Sequence, residues 1–348
     1  MGRQLGWVWF GGMRAKIYCI PSFTNRFGII DDADNLTVKI LNPGLTSVFW
    51  RTAAAINGKV YCIPFSSNQF GIIDTRTNDL VLSSLGAEPR AYNWQTACVA
   101  GKKIYCIPYL TDFAPSSNLI GVIDTELNSV SISSFGLSPG VIYSWITAES
   151  VLSKVFCIPY LPYTGNNFGI IDTESNTLTL TALGLDPNIN YGWYGSVVVG
   201  TKIYCIPWIN TSGGLYGIID GESNSVTLTS IDAAGGASSA NGWGTFAVSG
   251  TKIYCIPSRN DTISNNFGII DTESNTLTIT DLGVAERVGA YEWLSSVVHD
   301  NKIYCIPYKG DVFGIIDPES DTLTLETFGT TPSINYTWGT SAAVLPLL

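Results

Sequence analysis

Lys302-Ile303-Tyr304-Cys305-Ile306-Pro307, followed by Phe313-Gly314-Ile315-Ile316-Asp317, decides the fold, because the chain repeats it seven times. The first half recurs around Cys19, Cys62, Cys106, Cys157, Cys205, Cys255 and Cys305, at spacings of 43, 44, 51, 48, 50 and 50 residues. The second half recurs with its last residue at Asp31, Asp74, Asp124, Asp172, Asp220, Asp271 and Asp317. A tryptophan stands 12 residues before each cysteine: Trp7, Trp50, Trp94, Trp145, Trp193, Trp243 and Trp293. A fixed offset kept through a period of roughly 40–50 residues marks a repeat architecture.

Each unit reads as four strands. In the sixth, residues 243–249 form strand a, 252–256 strand b, 267–270 strand c and 276–282 strand d, with a turn at 271–275. Strands b and c are apolar on both faces, as strands covered on both sides are. Strand d alternates Thr with Leu or Ile, so one face is wet or it lies at an outer edge. Strand a is rich in small residues (Ala53-Ala54-Ala55, Ser196-Val197-Val198), which suit strands converging on an axis. The expected order is therefore a inside, b and c between, d outside.

Radially repeated four-stranded antiparallel sheets make a β-propeller. The expected fold is all-β, a seven-bladed propeller forming one domain over residues 1–348. Its units begin near residues 7, 50, 94, 145, 193, 243 and 293. An eighth strand a at 338–345 has no blade behind it and is expected to close the ring on the first blade. Trp7-Val8-Trp9-Phe10 competes for that place, but Gly11-Gly12 fits a strand badly.

The order of a small apolar strand, Gly-Lys-Ile-Tyr, a loop, an apolar strand and Asp-x-Glu-x-Asn-Thr resembles the kelch repeat of kelch and galactose-oxidase-type propellers. Gly101-Lys102-Lys103-Ile104-Tyr105 and Asp317-Pro318-Glu319-Ser320-Asp321-Thr322 carry the resemblance best. Where kelch has Gly-Gly after strand b this chain has Cys-Ile-Pro, and leucine stands for the kelch tryptophan of strand d. The resemblance implies architecture and carries no functional residues. Kelch-like propellers are mostly protein-binding platforms.

Charged residues are only 13% of the chain, about half the usual share, so Ser, Thr, Asn and Gly must supply most of the polar surface. The net charge of −10 comes with no basic stripe, which argues against nucleic acid. No apolar run reaches the roughly 18 residues of a membrane span, so no membrane insertion is expected. Residues 1–12 lack a signal-peptide pattern. Seven of the eight cysteines hold the same place in strand b. Equivalent strands of packed sheets lie about 10 Å apart, and a disulfide needs Cα atoms within about 7 Å. Buried free thiols in a cytoplasmic or other reducing compartment are expected.

The ring of aspartates could be a carboxylate array, but each opens an Asp-x-x-x-Asn-like turn, and turn structure is the expected role. The ring of lysines (Lys16, Lys59, Lys103, Lys154, Lys202, Lys252, Lys302) reads as solvated turn residues. His299 is the only histidine, which excludes repeated triads and multi-histidine metal sites. No C-x-x-C spacing occurs, so no metal and no cofactor are expected.

The a–b and c–d turns barely change between repeats, whereas the b–c and d–a loops vary in length and sequence. Variable loops on a rigid scaffold are where binding usually resides. That face is also aromatic. The binding candidates are Tyr92, Tyr143, Tyr191, Tyr291 and Tyr336 before the strand-a tryptophans. Phe65, Tyr109, Tyr160, Trp208 and Tyr308 follow the strand-b prolines, and Phe113 and Tyr163 lie in the loops. The repeated tryptophans are expected to pack between blades.

The expected function is a non-enzymatic scaffold that engages a protein partner through this face. A multivalent lectin with one sugar site per blade is the alternative, and self-assembly by exchange of a terminal strand is another. A hydrolase or lyase would need non-repeating acids such as Asp112, Asp186, Asp232, Glu286 or Glu292 to converge near the axis.

Overall fold

The computed structural model describes residues 16–22, 24–40, 50–65, 69–84, 94–108, 119–137, 145–160, 167–186, 192–207, 215–230, 242–258, 267–283, 293–308, 311–329 and 338–344. They form seven four-stranded antiparallel sheets and contain no helix. Blade 2 shows the common plan: strand a Trp50–Ile56, b Lys59–Pro64, c Phe70–Asp74 and d Asp79–Ser83, hydrogen-bonded in that order. Successive a strands contact one another around the whole circle, so the seven blades make a closed propeller with strand a innermost.

The ring closes in cis. Trp338–Val344 pairs with Lys16–Pro21, giving blade 1 its inner strand from the other end of the chain. The competing segment, Trp7 to Phe10, lies outside the described residues.

The repeated residues make the blade interfaces. At the junction of blades 3 and 4, Trp145, Ala148, Val155, Cys157 and Ile171 pack on Tyr105, Ile107, Ile120 and Val122. All six tryptophans from Trp50 to Trp293, and Trp338, are at most 1% exposed. Burying a side chain of that size contributes about 4–6 kcal/mol from area alone. In five of them the indole N–H donates to a backbone carbonyl, as Trp94 Nε1 does to Leu119 at 2.8 Å and Trp193 to Leu215 at 3.1 Å. The glycine of Phe-Gly-Ile-Ile lies under that ring. A Cβ on Gly217 would fall 2.5 Å from Trp193 Cζ2, so only glycine fits. The eight cysteines are buried and free, and burial pushes their thiols well above the usual range.

The opposite end of the ring is held by the turns. Each repeated aspartate accepts a backbone N–H two residues on, at 2.8–3.1 Å, as an Asx turn does. Backbone N–H donors hold four of these carboxyls below the usual range: that of Arg76 foremost for Asp74, and those three residues on, Ser175, Ser223 and Ser274, foremost for Asp172, Asp220 and Asp271. The last residue of each turn adopts φ of 48–59°: Asp34, Asn78, Asn128, Asn176, Asn224, Asn275 and Asp321. Its side-chain oxygen accepts from the strand-b tyrosine of the preceding blade, as in Tyr18 to Asn78 (2.7 Å), Tyr61 to Asn128 (2.8 Å) and Tyr304 to Asp34 (2.6 Å). Blade 4 has Phe156 instead, and there Lys154 Nζ reaches Asn224 at 2.8 Å. Several turn lysines are thus inter-blade links rather than merely solvated: Lys59 reaches Asn128 at 2.9 Å and Lys252 reaches Asp321 at 2.6 Å.

Strand d ends earlier than its alternation predicts. In blade 6 it spans Thr276–Thr280, and Leu282 and Gly283 then take φ of 51° and 79°. Leu282 is only 3% exposed, so burial offsets the cost of a left-handed leucine. Blades 3, 4 and 7 repeat this at Phe135, Leu183 and Phe328.

Candidate functional site

The site begins with a pairing irregularity. In blade 2, Trp50 pairs with Pro64 and Thr52 with Ile63, so Arg51 between them has no partner. The same β-bulge occurs in every blade and singles out Gln95, Ile146, Tyr194, Gly244, Leu294 and Gly339. Proline cannot donate to the ladder, so strand b ends there and strand a is free to bulge. The extra residue also changes the alternation: Trp145 and Ala148, three apart, face the same neighbouring blade.

A bulge re-aims a side chain, and these point into one place. Arg51, Gln95, Ile146, Tyr194, Gly244 and Leu294 line a cavity of about 300 Å³ together with Thr52, Thr96, Ser22 and Tyr308. The lining comes from all seven blades, so the cavity is the mouth of the propeller axis. It lies at the start of strand a and the end of strand b, on the face of the variable loops. Around an otherwise repetitive ring, the bulge position is a different residue in almost every blade.

The mouth is two-sided. Ser22, Arg51, Thr52, Gln95 and Thr96 of blades 1–3 are polar; Ile146, Tyr194, Leu294 and Tyr308 of blades 4, 5 and 7 are apolar or aromatic. Among the described residues Arg51 is the one formally charged member of the lining, and its guanidinium carbon sits 5.6 Å from the Phe65 ring centre. Tyr160 meets Tyr194 edge-on at 6.0 Å. The Ser22 side chain is 4% exposed, and its hydroxyl has no hydrogen-bond partner. At Gly244 a Cβ would fall 1.9 Å from Ser258 Oγ, so bare backbone forms that part of the wall.

Three of the sequence candidates therefore meet at the mouth: Phe65 beneath Arg51, Tyr160 against Tyr194, and Tyr308 in the wall. Tyr92, Tyr109, Phe113, Tyr143, Tyr163, Tyr191, Trp208, Tyr291 and Tyr336 lie outside the described residues. The bulge residues themselves were missed. Their signal is the variable position immediately after each repeated tryptophan. Of the acids an axial enzyme would need, Asp186 is exposed and does not line the mouth, and the other four lie outside the described residues.

Deeper in the inner ring, Glu149 Oε1 accepts from Ser196 Oγ at 2.9 Å, and Ser196 Oγ lies 2.7 Å from Thr147 Oγ1. Burial pushes the Glu149 carboxyl up to about 8, against the lowering effect of the Ser196 hydrogen bond. Glu149 retains some surface exposure, but it is ringed by protein atoms.

A larger cleft, about 670 Å³, lies on the outer flank between blades 7 and 1, among Asp34, Lys302, Asp317, Glu326 and Phe328. Its origin is local. The turn from Asp31 reaches its left-handed residue in three steps rather than the four from Asp74 to Asn78. This leaves a gap, with Lys302 and Asp34 4.0 Å apart. The axial mouth is the better candidate because seven elements converge on it. Among the described residues no group of histidine, cysteine, aspartate and glutamate is placed to hold a metal.

No family model and no curated protein matches the chain. Its fold is shared by solved structures. A functionally unknown protein from Desulfotomaculum acetoxidans superposes with a TM-score of 0.62 at 11% identity, covering 96% of this chain and 99% of that one. The computationally designed Ika8 protein gives 0.55 at 9% identity, covering 95% and 96%. YCF48 bound to D1 peptide gives 0.55 at 8% identity, covering 82% and 84%. At these identities the likeness is one of fold.

Proposed function

We propose that this chain is a non-enzymatic binding propeller that holds a protein partner on its variable-loop face, with the axial mouth as the anchor point. One observation carries the reading: six β-bulges bring blade-specific residues of strand a into a single composite cavity. The lining supplies a guanidinium, an amide, hydroxyls and apolar walls, which is recognition chemistry rather than acid–base machinery. The kelch-like architecture agrees, as an analogy of fold, and so does the peptide held by one structural neighbour. Buried, unpaired thiols suit a reducing compartment.

The lectin alternative needs the same site in every blade, whereas Arg51, Gln95, Ile146, Tyr194 and Leu294 give each blade its own contribution. Strand exchange between chains finds less support, because the closing strand is already paired within the chain.

Capture of partners from the native source, compared across variants, tests the proposal. A partner lost with Leu294→Arg at the mouth but kept with Leu152→Asp is expected; Leu152 is 65% exposed in the a–b turn on the opposite face. A partner retained equally by both variants would overturn it.

A further inference from the structure

We infer that the axial mouth receives the free carboxyl end of a polypeptide whose last residue is apolar. This rests on the protein-binding reading above and names what the anchor recognises.

The polar half of the mouth is suited to a carboxylate. Arg51 makes no ion pair with any described residue, and its guanidinium sits over the face of the Phe65 ring. A guanidinium held over a ring face keeps its N–H fork available to meet a carboxylate side-on. The chain as a whole carries a net charge of −10, yet among the described lining residues of this cavity Arg51 is the one charge. The repeated aspartates sit in the c–d turns, at the opposite end of the blades. An incoming anion therefore meets a local cation with the nearest carboxylate ring held away from it.

Ser22 is the second, independent observation. Buried polar groups in native structures are almost always hydrogen-bonded. The Ser22 hydroxyl is buried without a partner in the wall of this cavity. A ligand oxygen would satisfy it, and Gln95 and Thr96 add donors on the same side.

The other half fixes the rest of the group. Ile146, Tyr194 and Leu294 offer an apolar wall opposite Arg51. A cavity of about 300 Å³ accommodates one residue and little more. A chain end satisfies both halves at once, with its α-carboxylate toward Arg51 and its side chain toward Leu294. An internal Asp or Glu brings a carboxylate too, but its backbone must continue in both directions.

The probe is a set of fluorescein-labelled pentapeptides of one common sequence, ending in each of the 20 residues, as free acids and as amides. Binding to the full chain is read by anisotropy. Acids ending in Val, Leu, Ile or Met are expected to bind at least roughly tenfold tighter than their amides, the scale of one charge-assisted hydrogen bond. Arg51→Gln should erase that difference and Arg51→Lys should keep part of it. Ser22→Ala should weaken the acids alone, by a few-fold. Circular dichroism confirms that each variant is folded. Equal binding of acids and amides, or an acid preference that survives Arg51→Gln, overturns the inference. So does an amidated peptide with an internal Glu that binds as tightly as the best acid, or isovalerate that matches it. These failures leave the loop-face reading standing, because that one falls only if Leu294→Arg retains the partner.

Discussion

Gly195 leaves empty the space that Phe246 of the next blade fills: a Cβ there would lie 2.1 Å from Phe246 Cε2. Elsewhere the same two positions hold a hydrogen-bonded pair, Thr147 with Ser196 at 2.7 Å and Thr245 with Ser296 at 2.8 Å. Blades 5 and 6 thus replace a polar contact with a large–small pair. Gly195→Thr alone is expected to destabilise by about 1–3 kcal/mol through overpacking, and Phe246→Ser alone by a comparable amount through a cavity. Gly195→Thr with Phe246→Ser should recover most of the loss by restoring the Thr–Ser pair. A urea-denaturation double-mutant cycle checks this; additive losses would show that the two positions are not coupled.

A second close approach is repeated rather than unique. Gly71, Gly121, Gly169, Gly217, Gly268 and Gly314 each lie under the tryptophan of their own blade. Gly217→Ala is expected to cost about 1–3 kcal/mol or more, since the indole is fixed by its bond to the Leu215 carbonyl and has little room to retreat. Gly101→Ala, where nothing lies within 4 Å but φ is +60°, separates strain from clash. It should cost only about 1 kcal/mol. Thermal unfolding of the two variants side by side gives the comparison.

The ring of tyrosines can be tested at Tyr204 and Asn275, whose side chains meet at 3.1 Å. Tyr204→Phe should cost about 0.5–1.5 kcal/mol, one hydrogen bond; Phe156 shows that the fold accepts a phenylalanine there. Asn275 also sits at φ 55°. Asn275→Ala should therefore cost more than Asn275→Gly, because alanine loses the acceptor and is strained as well. The reverse order in chemical denaturation would mean that the backbone conformation, not the link, is unimportant.

Much of this was legible in the chain. The 12-residue offset from tryptophan to cysteine, kept seven times, gave the blade count. The lone copy of strand a at Trp338 gave the manner of closure, because a ring needs its last strand from the other terminus. The mouth was not legible in the same way. Phe65, Tyr160 and Tyr308 could be named because an aromatic residue recurs after the repeated strand-b proline. Arg51 and its counterparts sit inside a strand, where alternation assigns them a face. Only the register, Trp50 with Pro64 and then Thr52 with Ile63, shows that they are extra and turned toward the axis. The strand-c glycine was hidden for a related reason: its partner is an indole from 21 to 27 residues earlier, so nothing local explains it. The end of strand d was overrun because Leu282 continues the apolar alternation while its backbone has already turned left-handed.

Closure itself can be removed. A chain ending at residue 337 lacks the strand that pairs with Lys16–Pro21, and with it Trp338, which packs on Phe313 at 5.3 Å. Blade 1 would expose an apolar strand edge next to a void, which invites edge pairing between chains. The truncated chain is expected to unfold at lower temperature and to self-associate, as read by sedimentation. A peptide of residues 338–348 added in trans should reverse both effects.

The last test concerns Glu149. Its folded-state carboxyl titrates near 8, above the ordinary value of 4.5, because burial disfavours the charged form. The fold therefore binds this proton more tightly than the unfolded chain does. Its contribution to stability is complete below about pH 4.5 and is lost as the pH rises through 8. The turn aspartates act oppositely. Their lowered values mean stability present above the ordinary carboxylate range and lost as the pH falls below it. Above pH 5 the aspartate limb is thus complete, and the raised thiols, whose own loss begins near pH 9, are common to variant and wild type and cancel in their comparison. Glu149→Gln keeps an oxygen to accept from Ser196 and cannot ionise. It is expected to match the wild type near pH 5 and to exceed it by about 1–3 kcal/mol at pH 9, flattening the alkaline loss. Urea midpoints measured across that range decide the matter. A variant equally destabilised at every pH would show that the carboxyl is held as an anion, with the Ser196 hydrogen bond outweighing burial.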